Sequence, residues 1–469
     1  MMHTISEQYR KKHPSSERLF QQAKELFPGG VTHDRRYLTP FSIYMTHGEG
    51  ARKWDVDGNE YIDYAMGHGA LILGHSHPEI VLAVKEQISK GTHLGACTQA
   101  EMRWAEAVKA LIPSIEKIRF HSSGTEATIM AMRLARAYTG KSRIIKFKNH
   151  FHGWQDYAVI GNADYSSPGI PREVADTMIV LPDGDIDLVE KTLKENKDIA
   201  ALILEPTGGR AGTYPLKPEF IRWLRQITEK YGVVLIFDEI VTGFRISPGG
   251  AQERFGIKPD LTVLAKILAG GLPGGAVGGK KEIMDMITFR NDPDWDKNER
   301  ISHPGTFNAN PLSAAAGTRC LELIANRHEK GGSAEALSEH AYGAQKTKVY
   351  SITDRAEESA KKLREELNLV LKHLGVSALV YGLGSTLHIA FGIEYDGDLD
   401  YCTVSHNKIK DAMSSEVIPM FRKAMLNEGV DVFGGNWLVL SAAHGDKELE
   451  QTAEAFENAL VNMKKEGIA

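Results

Sequence analysis

The chain has 469 residues, a formal net charge of -5 and no long block of one sign, which argues against nucleic acid or an anionic membrane surface and for small-molecule ligands. That length exceeds what a single core usually serves, so a large domain with a smaller one is expected. Three scattered cysteines, Cys97, Cys320 and Cys402, lack CxxC spacing, which speaks against a disulfide framework or a cysteine-rich zinc site and fits a reducing cytoplasm.

Along the chain, the N-terminus "MMHTISEQYRKKHPSSERLF" is charged throughout, and no apolar run approaches the roughly 18 residues of a membrane span, so a soluble, untargeted chain is expected. Next, "RFHSSGTEATIMAMRLARAYTG" (119–140) sets Ser122, Ser123, Gly124 and Thr125 directly before a helix that Gly140 can close. Exposed N–H groups at a helix N-terminus, with small hydroxyl side chains, suit a phosphate; plain N-capping explains the same residues equally well.

Three short apolar runs follow: "RIIKF" (143–147), "AALILEP" (200–206) and "VVLIFDE" (233–239). Between the last two, Phe220, Trp223, Leu224 and Ile227 fall at helical spacing. Strand, helix, strand implies right-handed crossovers and a mostly parallel sheet with helices on both faces, whose ligands bind at the C-terminal ends of strands. Asp238 and Glu239 end such a strand, where an acid can keep a ring nitrogen protonated or can be a solvated loop residue.

In "LTVLAKILAGGLPGG" (261–275), Lys266 stands inside an apolar run, where an ammonium needs a counter-charge, a path to the surface or a use as an amine. One crossover separates it from Asp238. Phosphate cradle, carboxylate and lysine can therefore converge on one crevice, and together they meet the needs of pyridoxal 5'-phosphate: an anchor for its phosphate, a partner for its pyridinium and an amine for its aldehyde.

Further on, the polar stretch 328–350 is expected to be an exposed excursion. Leu363, Leu367, Val370, Leu371 and Leu374 predict an amphipathic helix ended by Gly375, with strand material in "SALVYGLGSTLHIAFG". The boundaries expected are an N-terminal segment 1–75 contributing to the small domain and substrate entrance, a large α/β cofactor domain 76–327, the excursion 328–350, and a small α+β domain 351–469.

Taken in order, "SSGTEATIMAMRLARAYTG", "FHGW", "LEP", "FDEIVTGFR", "LAKILAGGLPGGAVGG" and "GTFNANPLSAAAG" resemble the signature of class III pyridoxal-phosphate aminotransferases. "FPGGV", "WDVDGNEYIDY" and "LGHSHPEI" make the chain most similar to the glutamate-1-semialdehyde 2,1-aminomutase branch. The resemblance implies fold-type I, an α/β architecture with a mostly parallel central sheet, and a homodimer with shared active sites. It implies that Lys266 forms the Schiff base and shuttles the proton, and that Asp238 bonds the pyridine nitrogen. Ser123, Gly124 and Thr125 would hold the phosphate, and Thr306 would contact the phosphate of the neighbouring subunit. Phe151 and Ile240 would cover the two ring faces, and Glu205 would sit near the ring hydroxyl or the substrate. The H-x-H pair His150 and His152 has no third ligand at standard spacing, so no metal is expected and His152 is read as a structural neighbour of the ring. Glu60 and Asp63 are assigned to turns and packing.

On the substrate side, Arg36 in "FPGGVTHDRRYL" aligns with the arginine that fixes the substrate carboxylate in this branch, while Arg35 replaces a small apolar residue. His68 stands where the branch usually has tryptophan, and Asn436 and Trp437 stand near its acidic gate. An aminomutase must retain its intermediate, so these changes favour intermolecular transfer from a carboxylate-bearing amine, an α- or β-amino acid, to a keto acid by a ping-pong mechanism. The alternatives are the aminomutase itself and a racemase or epimerase on the same scaffold.

Overall fold

The computed structural model describes residues 4–161, 168–326, 328–329, 349–413 and 416–468. Its contacts divide the chain into two units, Met1–Pro78 with Ala356–Ala469, and Glu79–Arg355. The expected excursion at 328–350 lies almost wholly outside the described residues, within which only His328–Glu329 and Val349–Tyr350 pair, antiparallel.

The unit Glu79–Arg355 is built on a seven-stranded sheet. Across the sheet the order is Lys117–His121, Gly275–Gly279, Leu261–Ala265, Val234–Asp238, Ile199–Leu204, Arg143–Phe147 and Met178–Leu181. Gly275–Gly279 pairs antiparallel with both neighbours and every other pairing is parallel, so the mostly parallel α/β expectation holds. All six residues of Ile199–Leu204 are buried, as a central parallel strand covered on both faces requires. Helix Gly124–Thr139 packs on Leu261–Ala265 and Gly275–Gly279. Alanines let it approach closely, the Ser123 hydroxyl caps its start by accepting from the Glu126 amide, and left-handed Gly140 (φ 67°) ends it. Helix Pro218–Tyr231 buries Phe220, Leu224 and Ile227 at the expected spacing.

The unit Met1–Pro78 with Ala356–Ala469, the terminal unit, holds two antiparallel-rich sheets. Met45–Glu49, Arg52–Asp55 and Glu60–Asp63 form a meander to which Val430–Asp431 adds in parallel. Ala378–Tyr381, Thr386–Phe391 and Trp437–Val439 form the second. Leu363, Leu367 and Leu371 of helix Ile352–Leu374 pack into the core beside this sheet, and Gly375 turns left-handed (φ 62°) where the helix stops. Among the described residues no helix is long and apolar enough to cross a membrane.

Candidate active site

Backbone register alone collects most of the expected residues on one sheet edge. His121 pairs with Gly275 and Gly275 with Ala265, so the Ser122–Thr125 loop and Lys266 leave the same edge of the sheet. Val263 pairs with Asp238 and Phe237 with Leu204, which brings Asp238 and Glu205 to that edge. Ile203 pairs with Lys146, so the chain leading to Phe151 departs there too. This is the C-terminal end of the parallel strands, where helix N-termini and strand-end side chains gather.

Lys266 follows the buried strand Leu261–Ala265 with a left-handed backbone (φ 53°), an uncommon conformation for a residue with a side chain. Gly270 and Gly271 (φ 60° and 95°) then turn the chain back, and a Cβ on Gly275 would collide with the carbonyl oxygen of Ser123. Glycine is therefore required where the lysine strand meets the phosphate-type loop. Ile240 lies against the first turn of the helix: a Cβ on Gly124 would come within 2.6 Å of its Cδ1.

Asp238 is 3 % exposed. One carboxyl oxygen accepts from the Ile240 amide at 3.1 Å, and the other lies 2.8 Å from Nδ1 of His152. Burial pushes its pKa up to about 7, opposed by the Ile240 amide and the charge of Lys266. Burial also drives His152 well below the usual histidine range, so its ring is neutral. Such an acid is short of a cation, and a protonated pyridine nitrogen would supply one. The donor set, a buried carboxyl, an amine and a capped helix N-terminus on one edge, fits pyridoxal phosphate.

Two acids depart from their expected surroundings. Glu239 is fully buried and points away from any loop solvent, accepting from the amides of Ala251 (2.6 Å) and Gln252 (3.2 Å), the Gln252 side chain (3.0 Å) and the Thr242 hydroxyl (3.0 Å). It ties the turn after the strand to helix Gly250–Phe255. Glu205 spends both carboxyl oxygens on the backbone amides of Phe151, Arg210 and Ala211, each at 2.8 Å. Arg210 and Ala211 are left-handed (φ 56° and 53°), and these bonds hold them so. In this structure Glu205 anchors the Phe151 backbone.

The sequence marks His152 only as a neighbour of the ring; its bond to Asp238 makes it the residue that orients the carboxyl. Its place in the loop that follows strand Arg143–Phe147 is the available signal. Asp63 is also more than a turn residue. It is buried, accepts from Lys53 Nζ at 2.7 Å, lies 2.7 Å from His75 Nε2, and caps the amides of Ala65 and Met66. Those bonds secure the left-handed run at Met66 and His68 (φ 42° and 57°).

Arg35, Arg36 and His68 meet in the terminal unit, in a cavity of about 670 Å³. The His68 ring packs edge-on to His33 and against Phe433, at centroid distances of 4.6 and 4.8 Å. Arg36 is exposed and donates to the Thr32 hydroxyl at 2.8 Å. Arg35 lies over the rings of Phe433 and Trp437 at 5.6 and 5.7 Å. Thr306, in the unit Glu79–Arg355, is exposed, lines a cavity of about 620 Å³ with Arg119 and His303, and its carbonyl accepts from His93 Nε2 at 2.6 Å. Among the described residues no group of three or more His, Cys, Asp or Glu could hold a metal ion.

A family model described as aminotransferase class-III matches residues 33–340. The glutamate-1-semialdehyde 2,1-aminomutase of Thermodesulfovibrio yellowstonii is 38% identical over 463 residues, 95% of this chain and 98% of that one. Among solved structures, an omega-transaminase from Sphaerobacter thermophilus superposes with a TM-score of 0.83 at 32% identity, covering 97% of this chain and 99% of the other. A transaminase with pyridoxal phosphate bound superposes with a TM-score of 0.81 at 29% identity, covering 97% and 99%.

Proposed function

The chain belongs to the class III aminotransferases, enzymes that use pyridoxal 5'-phosphate, and from that premise we propose that it moves an amino group from a carboxylate-bearing amine, an α- or β-amino acid, to a keto acid in two half-reactions. When bound, the cofactor supplies the carbonyl that takes the amine and the ring that accepts the electron pair left on deprotonation of the substrate carbon. Lys266 Nζ takes that proton and returns it; its amine must be uncharged at that moment. Asp238, oriented by His152 Nδ1, keeps the ring nitrogen protonated. The amides and hydroxyls of Ser123, Gly124 and Thr125 neutralise the phosphate at the helix N-terminus. Phe151 and Ile240 cover the ring faces, and Glu205, bonded to the Phe151 amide, sits near the ring hydroxyl or the substrate side. Thr306 adds a phosphate contact to the neighbouring subunit of a homodimer. Arg36 and His68 take the substrate carboxylate side.

The observation that carries this reading is the shared strand edge of Lys266, Asp238 and the Ser123–Thr125 loop. Intermolecular transfer rather than internal rearrangement is supported by the departures from the aminomutase branch, His68 where it usually has tryptophan and Asn436 and Trp437 near its acidic gate. The names of the curated relatives favour a second reading, glutamate-1-semialdehyde aminomutase. Assay of the cofactor-loaded enzyme with amino donors, with and without an added keto acid, separates them. Turnover that requires the acceptor is expected; full turnover of glutamate-1-semialdehyde without one would establish the aminomutase.

A further inference from the structure

One cation of the unit Glu79–Arg355 is buried without a role in the proposed chemistry. Lys146 is fully buried on strand Arg143–Phe147, on the same face of the sheet as Ile144 and Ile203 of the core. Its register partner is Ile203, which pairs in turn with Ile236. Glu205 and Asp238 stand two residues beyond those isoleucines, on the same face because side chains alternate along a strand. Lys146 therefore lies one layer beneath the two carboxyls. Among the described residues its ammonium donates to the carbonyl oxygen of Ala158 and forms no ion pair.

A lysine in that position is costly. Burial pushes its amine down to about 8, opposed by Glu205, so its charge is still present at neutral pH. That charge bears on His152, a fully buried ring 2.8 Å from Asp238, where an imidazolium paired with the carboxylate is the ordinary outcome. Burial first and the charge of Lys146 next drive His152 the other way, with His150 acting in the same sense and Glu205 against them. Its Nε2, where a second proton would land, has no hydrogen-bond partner among the described residues. The other charged neighbours are engaged elsewhere. Glu205 accepts from three amides, His150 Nδ1 accepts from the Glu205 amide at 3.0 Å while its Nε2 lies 3.6 Å from Asp183, and the charge of Lys266 acts on Asp238.

We propose, resting on the aminotransferase reading above, that Lys146 is a positioning residue of the cofactor site: its buried charge keeps the His152 ring neutral and so reserves the Asp238 carboxylate for the pyridine nitrogen. An imidazolium at His152 would take up the negative charge of Asp238 and compete with the ring nitrogen for it. A neutral ring with its one proton on Nδ1 donates to the carboxylate and leaves that charge in place. Lys146 thus acts through His152, without touching cofactor or substrate.

The test begins with apoprotein carrying ¹⁵N-labelled histidine rings, titrated by NMR, the His152 signals being identified by their loss in His152→Gln. In the wild type the ring is expected to stay neutral, its proton on Nδ1, throughout the ordinary histidine range. Lys146→Met and Lys146→Gln should each begin to protonate it at a pH about one unit higher than the wild type, the scale of one charge acting across a layer of protein interior. Glutamine keeps a donor for Ala158, so a purely structural role would leave Lys146→Gln like the wild type. In the holoenzyme both variants should move the acid limb of kcat upward by about one pH unit with KM little changed. That shift should vanish when His152→Gln is added, because the glutamine amide takes no proton. An unchanged His152 titration in Lys146→Met, wild-type behaviour of Lys146→Gln, or a shift that survives in the His152→Gln background would overturn the proposal. Failure of the aminotransferase reading looks different: no amine changes the visible spectrum of the bound cofactor, while the altered His152 titration of the apoprotein persists.

Discussion

The strand-edge site of residues 79–355 and the cavity of the terminal unit are built by opposite means. At the strand edge, neighbouring strands in fixed register deliver Lys266, Asp238 and the Ser123–Thr125 loop, and the backbone would hold its place if any one of those side chains were removed. In the cavity, Arg35 and Arg36 ride on a short 3-10 turn and His68 on a left-handed run, so position depends on side-chain networks such as that of Asp63. Substitution should thus separate chemistry from architecture at the first site and mix them at the second.

The sharpest test of that contrast is Lys266→Ala. It removes the proton carrier without touching a strand pair, so turnover should fall by at least about 10³-fold, with the lysine-dependent visible band lost and the melting temperature of the apoprotein little changed. A large drop in stability would show that the strand edge is not the rigid frame described.

Asp238→Asn comes next. It should lower turnover by about 10²- to 10⁴-fold, the usual range for a group that controls a proton. It also has a signature in pH. A carboxyl raised to about 7 in the folded protein holds its proton more tightly than in the unfolded chain. Folding of the apoprotein is therefore favoured at low pH by this group, and that contribution is lost as pH rises from about 4 to about 7. Buried His152, lowered by desolvation, works in the other direction, costing stability as pH falls below the ordinary histidine range. Thermal unfolding of the apoproteins across this interval isolates the Asp238 share as the difference between wild type and Asp238→Asn, and the wild type should lose stability relative to the variant as pH rises from about 4 to about 7.

Much of the strand-edge site was legible in the sequence because each functional residue there directly follows an apolar run. Position at a strand end, in a parallel sheet, is enough to place Lys266, Asp238 and Glu205 on one edge. The identity of their partners was not legible. Asp238 and Glu239 are adjacent acids, and only the fold reveals that one meets His152 while the other caps helix Gly250–Phe255. Glu205 likewise reads as a strand-end acid, but its three amide donors come from residues that fold back over it. In the terminal unit even placement was obscure: "DRR" offers two arginines, and alignment favours Arg36, whereas the structure stacks Arg35 on Phe433 and Trp437. A loop carries no periodicity from which a facing direction can be read.

Asp63→Asn probes the architectural side of the contrast. The change leaves Lys53 with one of its two buried carboxylates and weakens the cap over Ala65 and Met66. Removing one member of a buried ionic network costs about 3 kcal/mol, so the melting temperature should fall well beyond the effect of Lys266→Ala. Because Lys53 holds the Asp63 carboxyl below its ordinary range, its share of stability is present at neutral pH and is lost on acidification through the folded-state pKa. Loss of stability should be accompanied by a raised KM, since the run it secures leads to His68.

The smallest effect is the most discriminating. His68 has a ring that touches His33 and Phe433 and a left-handed backbone, and the two properties can be separated. His68→Gly deletes the ring but relieves backbone strain of about 1 kcal/mol, whereas His68→Ala deletes the same ring and keeps the strain. If the ring contacts substrate, both variants raise KM by a similar few-fold factor with kcat nearly unchanged, while only His68→Ala loses stability relative to His68→Gly. A ring that merely fills space gives the other pattern: KM follows stability, and the glycine variant behaves like the wild type in both.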